Sequence, residues 1–303
     1  MNRSNLAAIA LLAVVGFSPS AEGHSASQDQ SASTPDSSFA DLRQRAEVGD
    51  TQAQYLLFLR YKERESTLAE RTEAISWLRK AAEAGHAMAQ VTLGLLYKGG
   101  KRGVVQNSEE AVKWFRKSAE QCNAYGQSEL GLMYETGDGV AKDEAEAVRW
   151  YTRAADQGLA VSKFDLAFMY ENGHGVAADI PKAIALYEEA ALSIPTARHN
   201  LAVLYYDGKL VGKDSIAAYK WAVLSISAEF MRIIGEAMGK EQDSHHEPRL
   251  GHAVLLLEDI AKGMKKKDKQ VAIHMAQEWI NANSARLGEE PQQFPSALAA
   301  IKK

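Results

Sequence analysis

The side chains best suited to bind a metal ion are concentrated in one short segment of the chain. They are Asp243, His245, His246, Glu247 and His252. Zinc sites take imidazole and carboxylate ligands at spacings that let the ligands converge on one point. Adjacent histidines project apart, and this spacing matches no common zinc pattern, so convergence would require a loop that folds the segment on itself. We therefore expect Gly239–Pro248 to be a polar linker, and we expect no cofactor.

The signals for catalysis and for phosphate binding are equally weak. Glycine pairs occur at Gly137/Gly139 and Gly173/Gly175, but a phosphate loop needs a following Gly-Lys-Ser/Thr or a preceding strand. Neither feature is present, so tight turns are the better interpretation. The chain has no His-Glu-x-x-His motif and no serine in a nucleophile-elbow motif. We therefore predict that the protein is not an enzyme.

The glycine pairs belong to a pattern that recurs along most of the chain. Tyrosines recur at steps of 36, 37, 36 and 35 residues, at Tyr61, Tyr97, Tyr134, Tyr170 and Tyr205. A second series keeps nearly the same period at Trp77, Trp114, Trp150, Leu186 and Trp221. Internal periods in this range are typical of arrays of helix pairs. The sequence therefore predicts an all-α fold.

Residue spacing within each unit predicts how its two helices pack. In the first helix, a leucine and then the tyrosine follow a small residue at steps of four, which places all three on one face. Gly94 and Gly131 come directly after the leucine. Glycine inside a helix costs about 1 kcal/mol relative to alanine, so we expect a neighbouring helix to approach closely there. Trp114 and Trp150 of the second helices are expected to be buried between units.

The ends of the second helices are marked in the same way. Asn107 and Asp143 precede two of these helices, and both residue types are favoured N-caps. Gly85 and Gly158 follow the last turn, where a left-handed glycine commonly ends a helix. Cys122, the only cysteine of the chain, occupies the same position. We interpret it as a substituted glycine, although an intermolecular disulfide or redox role is the alternative.

The motif A-Q-x-x-L-G-x-x-Y, then G-x-G-V, then A-x-x-W-[YF]-x-[RK]-[AS]-A-[ED]-x-G resembles the Sel-one-like repeat family, a relative of tetratricopeptide repeats. Its units occur at 52–85, 87–122, 124–158, 160–194 and 196–229. The resemblance implies an α-solenoid, a right-handed superhelix of helix-turn-helix repeats over 52–229, with a concave face lined by the first helices. We expect an N-terminal half-repeat cap at 39–51, a C-terminal helical cap at 230–290 and a tail at 291–303.

The N-terminus has the features of an export signal. Arg3 precedes an apolar run from Leu6 to Phe17 that is about half the length of a bilayer span, and small residues follow it. We expect a Sec-type signal peptide at 1–23, a disordered linker at 24–38 and a periplasmic or secreted mature protein without stable membrane insertion. A net charge of −4 does not favour a nucleic-acid partner.

The resemblance also implies a binding function, because family members serve as scaffolds and adaptors. We expect a protein or peptide partner in the cell envelope, in a signalling or secretion complex. Two rows of first-helix side chains are expected to bind it on the concave face: Gln90, Gln127, Lys163 and Arg198, beside Thr92, Glu129, Asp165 and Asn200. A solvated helix face without a ligand is one alternative. Another is a glycan-binding protein or a weak β-lactam- or peptidoglycan-directed hydrolase, like cysteine-rich members with a cysteine pair in each repeat.

Overall fold

The computed structural model describes residues 35–63, 67–208, 212–226 and 247–287. Within these ranges every regular element is a helix, thirteen in number. They are α1 Pro35–Glu47, α2 Thr51–Glu63, α3 Leu68–Glu83, α4 Ala87–Gly99, α5 Ser108–Glu120, α6 Ala124–Thr136, α7 Glu144–Asp156, α8 Ala160–Asn172, α9 Ile180–Ala190, α10 Pro195–Asp207, α11 215–226, α12 Glu247–Lys262 and α13 Lys266–Leu287. The predicted all-α fold is confirmed. None of these thirteen helices has both the length and the apolar character that a bilayer span needs.

The described residues fall into two compact units whose boundary lies within α8. The first unit extends to Ser162 and includes His174–Val176, and the second holds Lys163–Gly173 and the chain from Ala177 onward. The predicted signal peptide and tail lie outside the described residues. The first helix, α1, begins at Pro35, inside the segment predicted as a linker.

The second helices of the first unit, α3, α5 and α7, begin at side-chain caps. Asn107 and Asp143 each accept a hydrogen bond from the backbone N–H three residues later, at 3.0 and 2.9 Å. Thr67 forms a reciprocal capping box with Glu70 at the start of α3. Each cap provides an acceptor for a backbone N–H that has no partner inside the helix. The two predicted N-caps are therefore confirmed.

The first helices are enclosed on nearly every side. In α6, all eight consecutive residues from Gly126 to Met133 are buried. A Cβ atom on Gly94 would lie 2.6 Å from the ring of Phe115, and one on Gly131 would lie 2.9 Å from the ring of Tyr151. The expected close approach is confirmed, and the helix that approaches is the second helix of the same repeat.

The deepest core position of the second helices lies one residue after the tryptophan. Phe115 and Tyr151 are completely buried, and Trp150 is 7% exposed, whereas Trp114 is only partly buried. The cation three residues later stands over each tryptophan, 4.1 and 4.5 Å from a ring centroid. Burial is thus confirmed for Trp150, and full burial is wrong for Trp114 because its ring lies where the core meets the solvent.

Two helices close the C-terminal end of the second unit. The ring of Trp279 in α13 packs edge-to-face on Trp221 in α11, with ring centroids 5.7 Å apart. Leu257 and Ile260 of α12 are buried, as is Ala276 of α13. The terminal unit of a repeat array needs such a cover for its apolar face. Both α12 and α13 lie in the region predicted as the C-terminal cap.

Candidate partner-binding surface

One of the two predicted binding rows contains two buried glutamines, Gln90 and Gln127, that join consecutive helices, and Gln54 occupies the same column in the first repeat. Gln54, Gln90 and Gln127 each donate from the side-chain amide to the backbone carbonyl eight residues earlier, at 3.0, 3.0 and 3.3 Å. Those carbonyls belong to the last turn of the preceding helix, where each accepts the backbone N–H three residues later and has a second lone pair for the side-chain amide. Each glutamine therefore caps the end of one helix from the beginning of the next.

A hydrogen bond from a second glutamine side chain extends two of these contacts. The amide nitrogen of Gln121, the C-cap residue of α5, donates to the amide oxygen of Gln90 at 2.7 Å. Gln157, the C-cap residue of α7, donates to Gln127 at the same distance. These two glutamine pairs form what we call the amide relay. Both the nitrogen and the oxygen of Gln90 and of Gln127 are thus engaged within the protein.

In the second unit, an arginine takes the place of the glutamine. Arg198 is buried. It donates to three backbone carbonyls, those of Ala191 at 2.6 Å, Leu224 at 3.2 Å and Leu192 at 3.3 Å. The carbonyls of Ala191 and Leu192 lie just after the end of α9, and that of Leu224 lies in α11, so one guanidinium joins α9 to α11. Lys163, in the same column of the repeat, is partly exposed and pairs with Glu189.

The other predicted row is also engaged in internal contacts. Glu129 is buried and forms an ion pair with Lys98, with Oε2 and Nζ 2.9 Å apart. Thr92 is partly exposed, and its hydroxyl donates to the carbonyl of Met88 at 2.8 Å. In the second unit, Asn200 donates to the hydroxyl of Tyr187 at 3.2 Å. Asp165, the fourth member of this row, is buried.

His86, at the turn between the first two repeats, caps a first helix. Nδ1 of His86 accepts the backbone N–H of Ala89 at 3.1 Å, and Nε2 lies 2.8 Å from Oε1 of Gln52. The ring also packs on Tyr55, with centroids 4.8 Å apart. An accepting Nδ1 carries no proton, so Nε2 carries the proton and donates to Gln52. Burial lowers the pKa of His86, which favours this neutral form.

The Sel1 repeat profile matches five consecutive segments, at residues 51–86, 87–121, 124–159, 160–193 and 195–228. Together these segments cover more than half of the chain. The chain belongs to the Sel1 repeat family. In Sel1 repeat proteins the helix pairs form an all-α solenoid, and these proteins generally mediate protein–protein interactions.

Two solved structures of bacterial proteins share the Sel1 repeat fold of this chain. One is a protective antigen of uropathogenic Escherichia coli strains that displays an SLR fold, with 29% identity and a TM-score of 0.60; the match covers 84% of this chain. Only 53% of that antigen is covered, so this chain spans about half of its length. The other is a Sel1 repeat protein from Oxalobacter formigenes, with 26% identity and a TM-score of 0.54 over 75% of this chain and 99% of that protein. No curated protein matches the chain.

The Sel1 repeat architecture corrects one expectation about the predicted binding rows. We expected all their side chains to face the solvent, and this is wrong for the five buried ones: Gln90, Gln127, Glu129, Asp165 and Arg198. The reason is that neighbouring helices enclose the first helices, so Gln90, Gln127 and Arg198 bind the ends of helices and Glu129 pairs with Lys98. The column that holds Gln90 and Gln127 did indicate a capping role, because Gln, Lys and Arg all have long side chains that donate hydrogen bonds. Partner binding by the rows stays a prediction, and Thr92, Lys163 and Asn200 retain partial exposure.

The segment with the candidate metal ligands, which we predicted to be a polar linker, is only partly covered by the structure. Asp243, His245 and His246 lie outside the described residues, while Glu247 and His252 belong to α12. In the described ranges no group of three or more His, Cys, Asp or Glu side chains is placed to hold a metal ion. The expectation of a polar linker over Gly239–Pro248 also changes at its end, because α12 begins at Glu247.

Proposed function

We propose that this Sel1 repeat protein is an interaction scaffold of the bacterial cell envelope, without catalytic activity, that holds a protein partner in a signalling or secretion complex. The observation that carries the proposal is the array of five registered repeats, an architecture whose members generally mediate protein–protein interactions. Several polar groups of the first helices are buried, where they bind helix ends and each other. A partner must therefore be bound by side chains that remain accessible.

The envelope location can be tested separately from binding. Residues 1–40 fused to a reporter enzyme that is active only after export are expected to give an active reporter, because the apolar run after Arg3 has the length of a signal-peptide core. The matched control places two lysines in that run, at Leu11 and Leu12. A reporter that stays inactive with the natural segment would remove the envelope from the proposal.

Binding can be tested with the mature protein as bait. Cross-linked capture from envelope extracts, followed by mass spectrometry, is expected to yield a protein that an excess of untagged bait displaces. A list of captured proteins that the competitor does not change would contradict a scaffold function. Incubation with a chromogenic β-lactam addresses the hydrolase alternative, and we expect no turnover above that of buffer.

A further inference from the structure

The loop between the two helices of the second repeat is one residue longer than its counterparts. Asn107, the N-cap of α5, follows the left-handed Gly100 by seven residues. In the third repeat, Asp143 follows the left-handed Gly137 by six residues. The extra residue lies between Gly100 and Gly103, since the equivalent Gly139 follows Gly137 by only two residues.

The shorter loops close tightly on the preceding second helix. A Cβ atom on Gly139 would lie 2.3 Å from the backbone of Ser108, and one on Gly175 would lie 2.3 Å from the backbone of Glu144. Around the corresponding Gly103 no atom lies within 4 Å of the Cβ position. The longer loop therefore does not close on the start of α3, and a groove remains between them.

This groove, which we call the α3 groove, has a volume of about 620 Å³ and an apolar floor. Ile75 of α3 and Val104 of the loop line it and are buried at 9% and 4% exposure. Leu68 lines it at the start of α3 with 76% of its surface exposed, and Val105, directly after Val104, is 83% exposed. Accessible apolar side chains beside a concave surface are typical of sites that bind a ligand side chain.

Cations dominate the rim of the α3 groove. Arg71, Arg79, Arg102 and Lys80 line it, against one carboxylate, that of Glu83. Lys80 lies over the ring of Trp77, 4.0 Å from its centroid. Among the residues that the structure describes, no ion pair involves Arg71, Arg79 or Arg102. Their guanidinium groups can each take a carboxylate in a two-point hydrogen-bonded pair.

We propose that the α3 groove is the docking site for an acidic protein segment, one that places an apolar side chain on Ile75 and Val104 and pairs carboxylates with Arg71, Arg79 and Arg102. The proposal rests on the proposed scaffold function and names the chemistry of its partner. Charge complementarity favours an acidic segment, and the apolar floor favours a peptide over a sugar or a phosphate group. A peptide of alternating apolar and acidic residues satisfies both surfaces at once.

The test begins with random peptides displayed on phage and selected on the full mature protein. We expect the selected peptides to be rich in Asp and Glu around one large apolar residue. Synthetic versions are then titrated by fluorescence anisotropy against the natural protein and the double variant Arg71→Gln/Arg102→Gln. The affinity is expected to fall at least about tenfold in this variant, the loss typical of two charged contacts. In Leu68→Ser we expect a smaller loss, about threefold.

The matched control is Lys113→Gln/Arg149→Gln, which removes the same charge from exposed side chains of α5 and α7. It is expected to bind the peptides as the natural protein does. Selected peptides without acidic residues, or an affinity equal in both double variants, would overturn the proposal. So would tighter binding of heparin fragments or anionic lipid vesicles with the same dependence on arginine. Melting curves confirm that each variant folds.

The same variants separate this proposal from the scaffold function. If the natural protein and Arg71→Gln/Arg102→Gln capture the same competed envelope protein equally well, the α3 groove is not the docking site and the scaffold function stands. If the natural protein captures no competed protein, the scaffold function itself fails. Capture that is lost only in the groove variant supports both.

Discussion

Lys98 and Glu129 form a buried ion pair, with side chains 15% and 3% exposed. They come from α4 and α6, the first helices of neighbouring repeats. A buried ion pair adds little net stability relative to an apolar pair, but loss of one partner leaves the other charge without compensation. The pair therefore fixes how the two first helices align. Reversing the charge of Glu129 is expected to destabilise the protein, whereas a surface position would tolerate the same change.

Lys98→Ala is expected to lower the free energy of unfolding by about 3 kcal/mol, because it leaves the carboxylate of Glu129 buried and unpaired. Urea denaturation measures the change. Lys113→Ala is the matched control, since Lys113 is 63% exposed in its pair with Glu110 and should lose less than about 0.5 kcal/mol. Equal losses in the two variants would show that the Lys98–Glu129 pair is solvated like a surface pair.

His86 gives the first unit a dependence on pH. Burial places its folded-state pKa below that of the unfolded chain, so the unfolded state binds more protons and stability falls as the pH falls. The N-cap contribution is complete above the unfolded pKa, which is about 6.5, and is lost as the pH falls from there through the lower folded pKa. Protonated Nδ1 can no longer accept the N–H of Ala89.

His86→Asn tests this dependence, because Asn123 caps the equivalent helix α6 without titrating. Between about pH 7 and pH 5 the natural protein is expected to lose up to about 1 kcal/mol more stability than the variant, the typical contribution of one N-cap. Urea denaturation at several pH values measures both slopes. Parallel slopes would mean that the imidazole does not act as a cap in solution.

At the scale of helices, the side-chain hydrogen bonds that define each repeat are concentrated at helix ends. The N-termini of second helices are capped by their own Asn and Asp side chains, whereas several C-termini are capped from the next helix by the glutamine column. Left-handed residues complete the C-terminal ends, with φ of +96° at Gly85 and +88° at Gly158. Cys122 stands in the same place with φ of +60°, a conformation that disfavours a residue with a side chain. Its interpretation as a substituted glycine agrees with this backbone.

Cys122→Gly is therefore expected to stabilise the protein by about 1 kcal/mol, because glycine adopts the left-handed region without a Cβ penalty. Thermal unfolding under reducing conditions measures the gain without interference from intermolecular disulfides. Gly158→Cys, the reverse change at the equivalent position, should produce a loss of similar size. A destabilised Cys122→Gly would point to a packing role for the thiol.

At the scale of the whole molecule, stability in a repeat array is a sum of local terms, since each repeat contacts mainly its neighbours. A defect at one end of the second unit should therefore stay local. Trp279 lies between Trp221 and Arg198, whose guanidinium carbon is 5.1 Å from its ring centroid. It is the contact that joins α13 to both α10 and α11.

Trp279→Ala is expected to cost about 2 kcal/mol, less than a fully buried tryptophan would, because the ring is partly exposed. Hydrogen exchange followed by mass spectrometry should show faster exchange in α10 and α11 and unchanged exchange in α4 and α6. Met275→Ala, at an exposed position of the same helix, is the control. Faster exchange throughout the chain would contradict a local response.

Sequence periodicity was sufficient to predict features that depend on one repeat. The close contacts at Gly94 and Gly131 and the N-caps Asn107 and Asp143 follow from residue type and helical spacing. Features that depend on neighbouring repeats could not be predicted so well. Spacing does not show that α6 is enclosed, so Gln127 seemed a surface residue. The α3 groove depends on one inserted residue, visible in the sequence only as a 37-residue step between tyrosines.

One half of the amide relay, the contact between Gln127 and Gln157, lies entirely within the third repeat. Gln127 receives Gln157 from its own repeat and reaches back to the carbonyl of Ala119, and Ala155 offers the same carbonyl at the end of α7. A second copy of residues 123–158 inserted after Gly158 would therefore keep the glutamine cap at the new junction, but its Glu129 would meet Glu135, which occupies in the third repeat the position that Lys98 occupies in the second. Such an insertion should lengthen the array while Lys163 and Arg198 keep their own partners. A stable insertion therefore needs Glu135→Lys as well, because the buried carboxylate of the copied Glu129 requires a cation opposite it.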